Sequence, residues 1–262
     1  MTTLPSLFIS HGAPTLAVEE NAFTQAWGEL GRALPRPETI LMVSAHWDTP
    51  SPAVSAAPQP RTIHDFHGFP GELYEVRYPA PGAPELAQRV HALLTAAGVP
   101  CDIDPARGLD HGAWVPLNRM YPDADIPVTQ LSVQSQLPPS HHHAMGQALA
   151  PLRAEGVLVI GSGGIVHNLR DLDWMNRAGG GAFEWAKAFN DWIAQRLEAG
   201  ALAELLDYRR GAPQPARAHP TEDHFDPFFV ALGAGGLPAR RLDLGFDMGS
   251  LGMDCYIFGP EK

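Results

Sequence analysis

A short polar segment near the end of the chain, residues 219–225 (His-Pro-Thr-Glu-Asp-His-Phe), concentrates groups that can bind a metal or move protons. Within six consecutive residues it places two imidazoles and two carboxylates, those of His219, Glu222, Asp223 and His224. Divalent metals prefer such nitrogen and oxygen ligands, and burying them is costly unless a metal or a proton-transfer role compensates. A solvated helix start would look similar, because Pro220 suits a first helical position and acidic residues suit a helix N-terminus. This segment alone leaves both interpretations open.

Three more histidines, His11, His46 and His167, stand at the ends of apolar runs or in the turns that follow them. In open α/β sheets ligands bind at the carboxyl ends of the strands, so these side chains could converge from distant parts of the chain. One such histidine is usually only a hydrogen-bonded residue. Three of them, together with residues 219–225, favour a shared site.

The elements that must position these histidines alternate along the chain. Strand-like apolar runs occupy residues 4–10, 39–45, 99–103, 126–132, 157–161 and 255–258, and amphipathic helices are predicted over 84–97, 140–155 and 182–199. Strands that alternate with helices indicate an α/β layered sheet. The interval 48–84 is rich in Pro and Gly without a sustained period, and long ordered loops are usually functional, so we expect residues 60–81 to form a wall of the pocket.

Composition narrows the function classes. The 262 residues carry 18 Lys and Arg against 29 Asp and Glu, a formal charge of -11, which makes nucleic acid and anionic membranes improbable partners. No low-complexity linker divides the chain, so one domain over residues 1–262 is expected. Cys101 and Cys255 lie far apart, and no signal peptide or membrane-span pattern is visible, so we expect a cytoplasmic protein; homo-oligomerisation stays open.

Six spaced motifs point to a family. They are Ser10-His11-Gly12-Ala13-Pro14, Ser44-Ala45-His46-Trp47, Asp65-Phe66-His67-Gly68-Phe69-Pro70, Asp110-His111-Gly112-Ala113-Trp114, Gly161-Ser162-Gly163-Gly164 leading to His167-Asn168-Leu169, and His219-Pro220 leading to Asp223-His224-Phe225. From about residue 8 onward, the chain resembles the DODA-type branch of the LigB-like (class III) extradiol ring-cleavage dioxygenases. The resemblance implies a single three-layer α/β domain with a central mixed sheet flanked by helices. It also implies a small aromatic diol, DOPA-like or a related dihydroxyphenyl compound, as the substrate that is opened with O2.

The resemblance also assigns roles to residues. It implies that His11, His46 and His224 bind one divalent metal ion, Zn²⁺ or non-haem Fe²⁺, that His167 is the catalytic acid and base, and that His111 hydrogen-bonds substrate or oxygen.

The third metal ligand has an alternative. If residues 219–225 begin a helix, neighbouring side chains diverge by about 100°, so Glu222, Asp223 and His224 cannot all face one ion. We expect His224 to be the ligand, with Asp223, Glu222 or His219 orienting an imidazole by a hydrogen bond. A site of two histidines with Glu222 stays open.

Other residues receive lesser roles. His67 and Phe69 in the long loop, and Trp47 beside His46, are candidates for contacts with the substrate ring. His141, His142 and His143 are expected to form a solvated first helical turn.

Three protein ligands leave open metal positions for a catechol and dioxygen, while a neutral histidine nearby can take and return a proton. A zinc hydrolase is the alternative enzyme, although the chain lacks a His-Glu-x-x-His helix. A non-catalytic metal- or ligand-binding protein of the same fold is the third possibility.

Overall fold

The computed structural model describes residues 3–177 and 180–259. Its strands are β1 (Ser6–Ser10), β2 (Thr39–Asp48), β3 (Ala53–Ser55), β4 (Asp102–Asp104), β5 (Val128–Val133), β6 (Val157–Gly163), β7 (Val166–His167), β8 (Ala239–Leu242), β9 (Phe246–Asp247), β10 (Leu251–Gly252) and β11 (Cys255–Phe258). Its α-helices are α1 (Ala22–Ala33), α2 (Pro84–Ala96), α3 (His111–Met120), α4 (Pro139–Leu149), α5 (Glu184–Glu198), α6 (Leu202–Leu206), α7 (Tyr208–Gly211), α8 (Pro215–Ala218) and α9 (Asp226–Gly235). Short 3-10 helices cover Pro14–Ala17, Gly71–Tyr74, Ala150–Glu155 and Leu169–Asp171.

Over these described residues the central sheet has eight strands in the order β4-β3-β5-β2-β6-β1-β11-β8. The inner strands β5, β2, β6 and β1 run parallel, whereas β11 pairs antiparallel with both β1 and β8. A second, small sheet joins β7, β10 and β9. The α/β class with a mixed sheet flanked by helices, expected from the sequence, is confirmed.

Helices cover both faces because side chains alternate along each buried strand. On β1, Leu7 and Ile9 enter the core shared with α1 and α3, while Phe8 between them enters the core shared with α5 and α9. All three side chains are fully buried. The result is three layers, with the carboxyl ends of the parallel strands left uncovered at one edge.

Several local elements differ from the sequence-based prediction. Residues 219–225 form a turn, and the helix begins only at Asp226, with Pro227 in its first turn. The helix predicted over 140–155 begins at Pro139 and changes to a 3-10 helix after Leu149. The cause lies at Pro151, which has no N–H to continue the α-helical hydrogen bonds.

Helix α3 was not predicted, because nearly all of its residues are buried and Pro116 stands inside it, so the sequence shows no polar face. Within the described residues, no helix is long and apolar enough to cross a bilayer.

Candidate active site

The parallel strands bring His11 and His46 to the same edge of the sheet. Ser10 at the end of β1 pairs with Gly163 of β6, and Ser44 of β2 pairs with Ser162 of β6. His11 therefore follows its strand at the level where β6 ends. In β2 the register with β5 shifts between Val43 and Asp48, and such an irregularity re-aims the side chains within it, including that of His46.

The proton positions on His11 and His46 follow from their neighbours. Ser162 Oγ donates to the Gly112 carbonyl at 2.5 Å, so it accepts from His11 Nδ1 at 3.0 Å. His46 Nδ1 lies 3.6 Å from a carboxylate oxygen of Asp65, which favours a proton on Nδ1 there as well. Both Nε2 atoms then carry bare lone pairs.

These two Nε2 atoms lie 3.0 Å apart. Two lone pairs at that distance repel each other unless a cation lies between or beside them. The donor set of the edge therefore fits a bound metal ion, because neutral imidazole nitrogens are common ligands of zinc and iron.

Two further imidazoles compete for the third position. The ring of His224 lies 4.8 Å from that of His46 and 5.4 Å from that of His11, centre to centre. His111 lies nearer to His46, with ring centres 3.9 Å apart, and one ring nitrogen from each of His11, His46 and His111 lies within 4.8 Å of the others. Each candidate has an aspartate on Nδ1, which leaves its Nε2 free: Asp223 at 2.5 Å for His224 and Asp65 at 3.0 Å for His111.

The turn that carries His224 is fastened to the end of β6. The backbone N–H of Gly164 donates to the His224 carbonyl at 2.9 Å. A Cβ at Gly163 would lie 2.0 Å from the same oxygen, so the close approach needs glycine at that position. The glycine-rich stretch 161–164 thus allows the turn that carries His224 to approach the end of β6.

Helix α3 delivers His111 through its first turn. Asp110 is the N-cap, is fully buried, and accepts from Ser44 Oγ at 2.6 Å and from Arg107 at 2.8 Å. These bonds join the helix start to β2 beside His46. A Cβ at Gly112 would meet Ser44 Oγ at 2.6 Å, so glycine is again required for the approach.

His167 on β7 stacks on His224 with ring centres 3.5 Å apart and planes 4° from parallel. Burial, and then the charges of His46 and His111 against that of Asp223, lower the pKa of His167 to about 4. Burial lowers the pKa of His46 to about 4 and those of His11 and His224 well below the usual value. All four rings are therefore neutral at pH 7, the state in which an imidazole can bind a metal or accept a proton.

Asp65 links two of these rings. Its carboxylate accepts from the His111 backbone N–H at 2.9 Å and lies against Nδ1 of both His46 and His111. Burial alone would raise the pKa of Asp65, but the hydrogen bonds and charge of His111 outweigh it and lower the pKa to about 2. An ionised Asp65 holds both Nδ1 atoms protonated.

A cavity of about 650 Å³ opens over this cluster. Its inner end is formed by the five histidines described above, and its outer part is apolar. The lining residues are His11, Gly12, Ala13, Pro14, Thr15, His46, Phe66, His67, Gly68, Phe69, His111, His167, Leu169, Leu172, Trp174, Arg177, His224, Met248 and Leu251. His67 and Phe69 thus lie where a substrate ring could touch them, and the loop over residues 60–81 supplies part of the wall.

Three residues expected near the substrate or metal lie elsewhere. Trp47 is buried under the Arg107 guanidinium, 5.2 Å from its ring centre, and does not line the cavity. Glu222 bonds Arg209 at 2.8 Å and lines a separate surface cleft, because the turn directs it away from His224. His219 donates from Nε2 to the Ile165 carbonyl at 3.1 Å and stacks on Phe225, so it supports the turn from behind.

The expectation that His141 to His143 are solvated is wrong for two of them. His142 is fully buried and His143 nearly so, because the first turn of α4 packs against α9. His142 Nε2 accepts from the Gln134 N–H at 3.1 Å, and its Nδ1 lies 3.3 Å from Asp226 Oδ1.

Asp65, Ser162 and Asp110 received no role from the sequence, although each stands in one of the six motifs. The available signal was that Asp110 directly precedes His111 and that Asp65 stands between His64 and His67, whereas Ser162 stands in a glycine-rich stretch five residues before His167. The cavity rim over residues 169–177 carried no such signal.

Comparison with known proteins agrees with this geometry. Residues 5–246 match the family described as the catalytic LigB subunit of aromatic ring-opening dioxygenase. Proteins named 4,5-DOPA dioxygenase extradiol are 44% identical in Escherichia coli K12, over 96% of this chain and 93% of that protein, and 44% identical in Beta vulgaris, over 97% and 96%. The crystal structure of an uncharacterized protein of Escherichia coli K12 superposes with a TM-score of 0.80 at 37% identity, covering 98% of this chain and 100% of that one.

The chain therefore belongs to the LigB family of aromatic ring-opening dioxygenases, and its activity is that of an extradiol ring-cleaving dioxygenase. This confirms the resemblance and the enzyme class predicted from the motifs. The zinc hydrolase and the non-catalytic binding protein are not favoured. Members of this family depend on a metal, and the histidine cluster could hold one.

Proposed function

We propose that the protein opens the ring of a substituted catechol, DOPA-like or a related dihydroxyphenyl compound, at a single metal held by His11, His46 and His224. The observation that carries the proposal is the pair of Nε2 atoms 3.0 Å apart at the inner end of the cavity, with both Nδ1 atoms engaged elsewhere. His224 is preferred to His111 as third ligand because it matches the motif and because His111 lies beside the ring-lined side of the cavity, near Phe66.

When bound, the metal would lower the pKa of a catechol hydroxyl and bring dioxygen beside the ring. Non-haem Fe²⁺ is the proposed working ion, because Zn²⁺ has no redox chemistry to offer dioxygen. Ser162, Asp65 and Asp223 hold the ligand rings by their Nδ1 atoms, which keeps each Nε2 free for the ion.

The remaining residues handle the proton and the ring. His167, neutral at pH 7, takes the proton of the second catechol hydroxyl and returns it when the O–O bond breaks. His111, whose Nδ1 proton faces Asp65, accepts a hydrogen bond at Nε2 from a substrate hydroxyl. Phe66, which is buried, and Phe69 bound the ring and exclude water from the inner end.

Anaerobic reconstitution with Fe²⁺, followed by a panel of catechols in air, tests the proposal. We expect a yellow semialdehyde chromophore with oxygen uptake in equal amount. The same protein loaded with Zn²⁺ is the matched control: it should bind metal at the same ratio and consume no oxygen. Oxygen uptake by neither form with any catechol would contradict the proposal.

A further inference from the structure

The outer part of the cavity differs chemically from its inner end. Leu169, Leu172, Trp174, Met248 and Leu251 are among its lining residues. Leu169 is 60% exposed and Trp174 is 68% exposed. When a ligand covers large apolar side chains that are this exposed beside a cavity, their apolar surface is removed from water, and this burial stabilises the complex.

The positive charge at this rim, that of Arg177, is already paired with carboxylates of the protein. Among the described residues that line the cavity, Arg177 is the only lysine or arginine. Its Nε lies 3.2 Å from Asp247, and its Nη2 lies 3.2 and 3.1 Å from the two carboxylate oxygens of Glu19. A substrate carboxylate would have to compete with two carboxylates for one guanidinium, at a wall whose other polar side chains outside the inner histidines are those of Thr15 and His67.

The space also exceeds what the ring requires. A cavity of about 650 Å³ is within the range that holds drug-sized ligands, whereas a bare catechol fills only its histidine end. A ring held there directs its substituent outward, along Leu169, Leu172 and Trp174.

We propose that Leu169, Leu172 and Trp174 form a subsite that selects catechols with an uncharged apolar substituent over catechols whose substituent ends in a carboxylate. The inference rests on the proposed ring-opening function and narrows its substrate class. It sets this chain apart from the relatives named for DOPA, whose side chain carries both an ammonium and a carboxylate.

The test compares kcat/KM of the Fe²⁺-loaded full-length protein for catechols bearing a methyl, ethyl, propyl or butyl group para to one hydroxyl. Each added methylene should raise kcat/KM about threefold to fourfold, the value for a buried CH₂. Propylcatechol should exceed dihydroxyphenylpropionate, which carries a carboxylate in place of its terminal methyl group, by at least about tenfold, and the methyl ester of the acid should recover most of the difference.

Variants locate the effect. In Trp174→Ala the loss of kcat/KM should grow with the length of the alkyl group, which flattens the series. Met175→Ala is the matched control, because this neighbour is 93% exposed and does not line the cavity, and it should retain the wild-type slope.

Two outcomes separate the failure of this inference from that of the function. Absence of ring opening for every catechol, unsubstituted catechol included, would refute the proposed function itself. Ring opening with a flat series, or a preference for the acid or for DOPA that disappears in Arg177→Gln, would overturn only the apolar subsite and assign Arg177 to a substrate carboxylate.

Discussion

The histidines that face the cavity and the histidine at the start of α4 do different things in this molecule. The cavity histidines are His11, His46, His111, His167 and His224; the helix histidine is His142 at the start of α4. Burial lowers the pKa of His142 to about 3, just as it lowers the pKa of His46 to about 4. Neither burial nor a lowered pKa therefore distinguishes the groups.

The second ring nitrogen does distinguish them. In His142 the Nε2 atom accepts from the Gln134 backbone and the Nδ1 atom lies 3.3 Å from Asp226 Oδ1, so both nitrogens face groups of the protein. In His11 the protein occupies only Nδ1, and Nε2 is aimed at the Nε2 of His46 across 3.0 Å. A histidine with one nitrogen fixed and the other aimed at a shared point is prepared to bind a ligand, whereas His142 connects two helices.

The largest effect should come from removing a metal ligand. In His11→Ala, His46→Ala and His224→Ala, metal content after reconstitution should fall well below one ion per chain, because each change deletes one of three donors. Elemental analysis after gel filtration measures this content.

Two variants make this test decisive. His142→Asn should retain one ion per chain, since it lies outside the cavity. If His224→Ala retains full metal while His111→Ala loses it, the third ligand is His111 rather than His224.

A smaller effect, on turnover rather than on metal content, is expected from replacing His167, the proposed general base. His167→Gln should keep its metal and still bind catechol, while kcat falls about 10²-fold to 10⁴-fold, the usual contribution of a general acid or base. Single-turnover measurements with the metal-loaded variant give the rate. Loss of the metal would make His167 a ligand, and an unchanged rate would remove it from the mechanism.

The next effect concerns how a ligand is held. Ser162→Ala removes the acceptor of His11 Nδ1 and should weaken metal binding about 10-fold to 100-fold. Ser6→Ala is a matched control, because Ser6 Oγ is also buried and donates to a carbonyl, that of Ala231 at 2.6 Å, far from the cavity. Competition with a chelator of known affinity gives both dissociation constants, and equal weakening in the two variants would contradict a specific role for Ser162.

The smallest effect is expected on the pH dependence of stability when Asp226, the neighbour of His142, is replaced. Burial, followed by the charges of Glu222 and Asp223, raises the pKa of Asp226 to about 9. The folded protein then holds this proton up to about pH 9, whereas the unfolded chain releases it near pH 4, so the free energy of unfolding falls as the pH rises between these values. An asparagine side chain does not titrate, so in Asp226→Asn this fall should be weaker by about 1 kcal/mol per pH unit.

Denaturant unfolding between about pH 6 and pH 8.5 measures that difference. Asp125→Asn serves as control, because Asp125 is exposed and its hydrogen bond to Arg36 lowers its pKa, so it stays ionised throughout. Parallel curves for wild type and Asp226→Asn would show that Asp226 is already ionised in the folded protein.

The sequence predicted the strands best where they are buried on both faces. The runs at 39–45 and 157–161 lie inside observed strands, because an inner parallel strand must be apolar throughout. The run at 255–258 coincides with β11, which is antiparallel but also fully buried. The sequence did not predict α3, because a helix that is buried on all sides shows no helical period of polar and apolar residues. It also did not predict that His142 is buried, because a polar side chain gives no sign of the helix that covers it.

Within the candidate site, the motifs identified which histidines meet but not what orients them. That His11 is paired with Ser162, or His46 with Asp65, depends on strand register and on a loop that no periodicity describes. Glu222 shows the limit most clearly: one position away from Asp223 in the sequence, it faces Arg209 on the outer surface, because the turn reverses direction between them.

The order of strands in the sheet has a consequence for biosynthesis. His11 follows β1, which is completed on one side by β6 and on the other by β11, near the last described residue. His224 stands on a turn that can settle only after β6 exists. The first two candidate ligands are therefore synthesised long before the third can join them, so a site that contains all three forms only after β6 and the turn over residues 219–225 have folded.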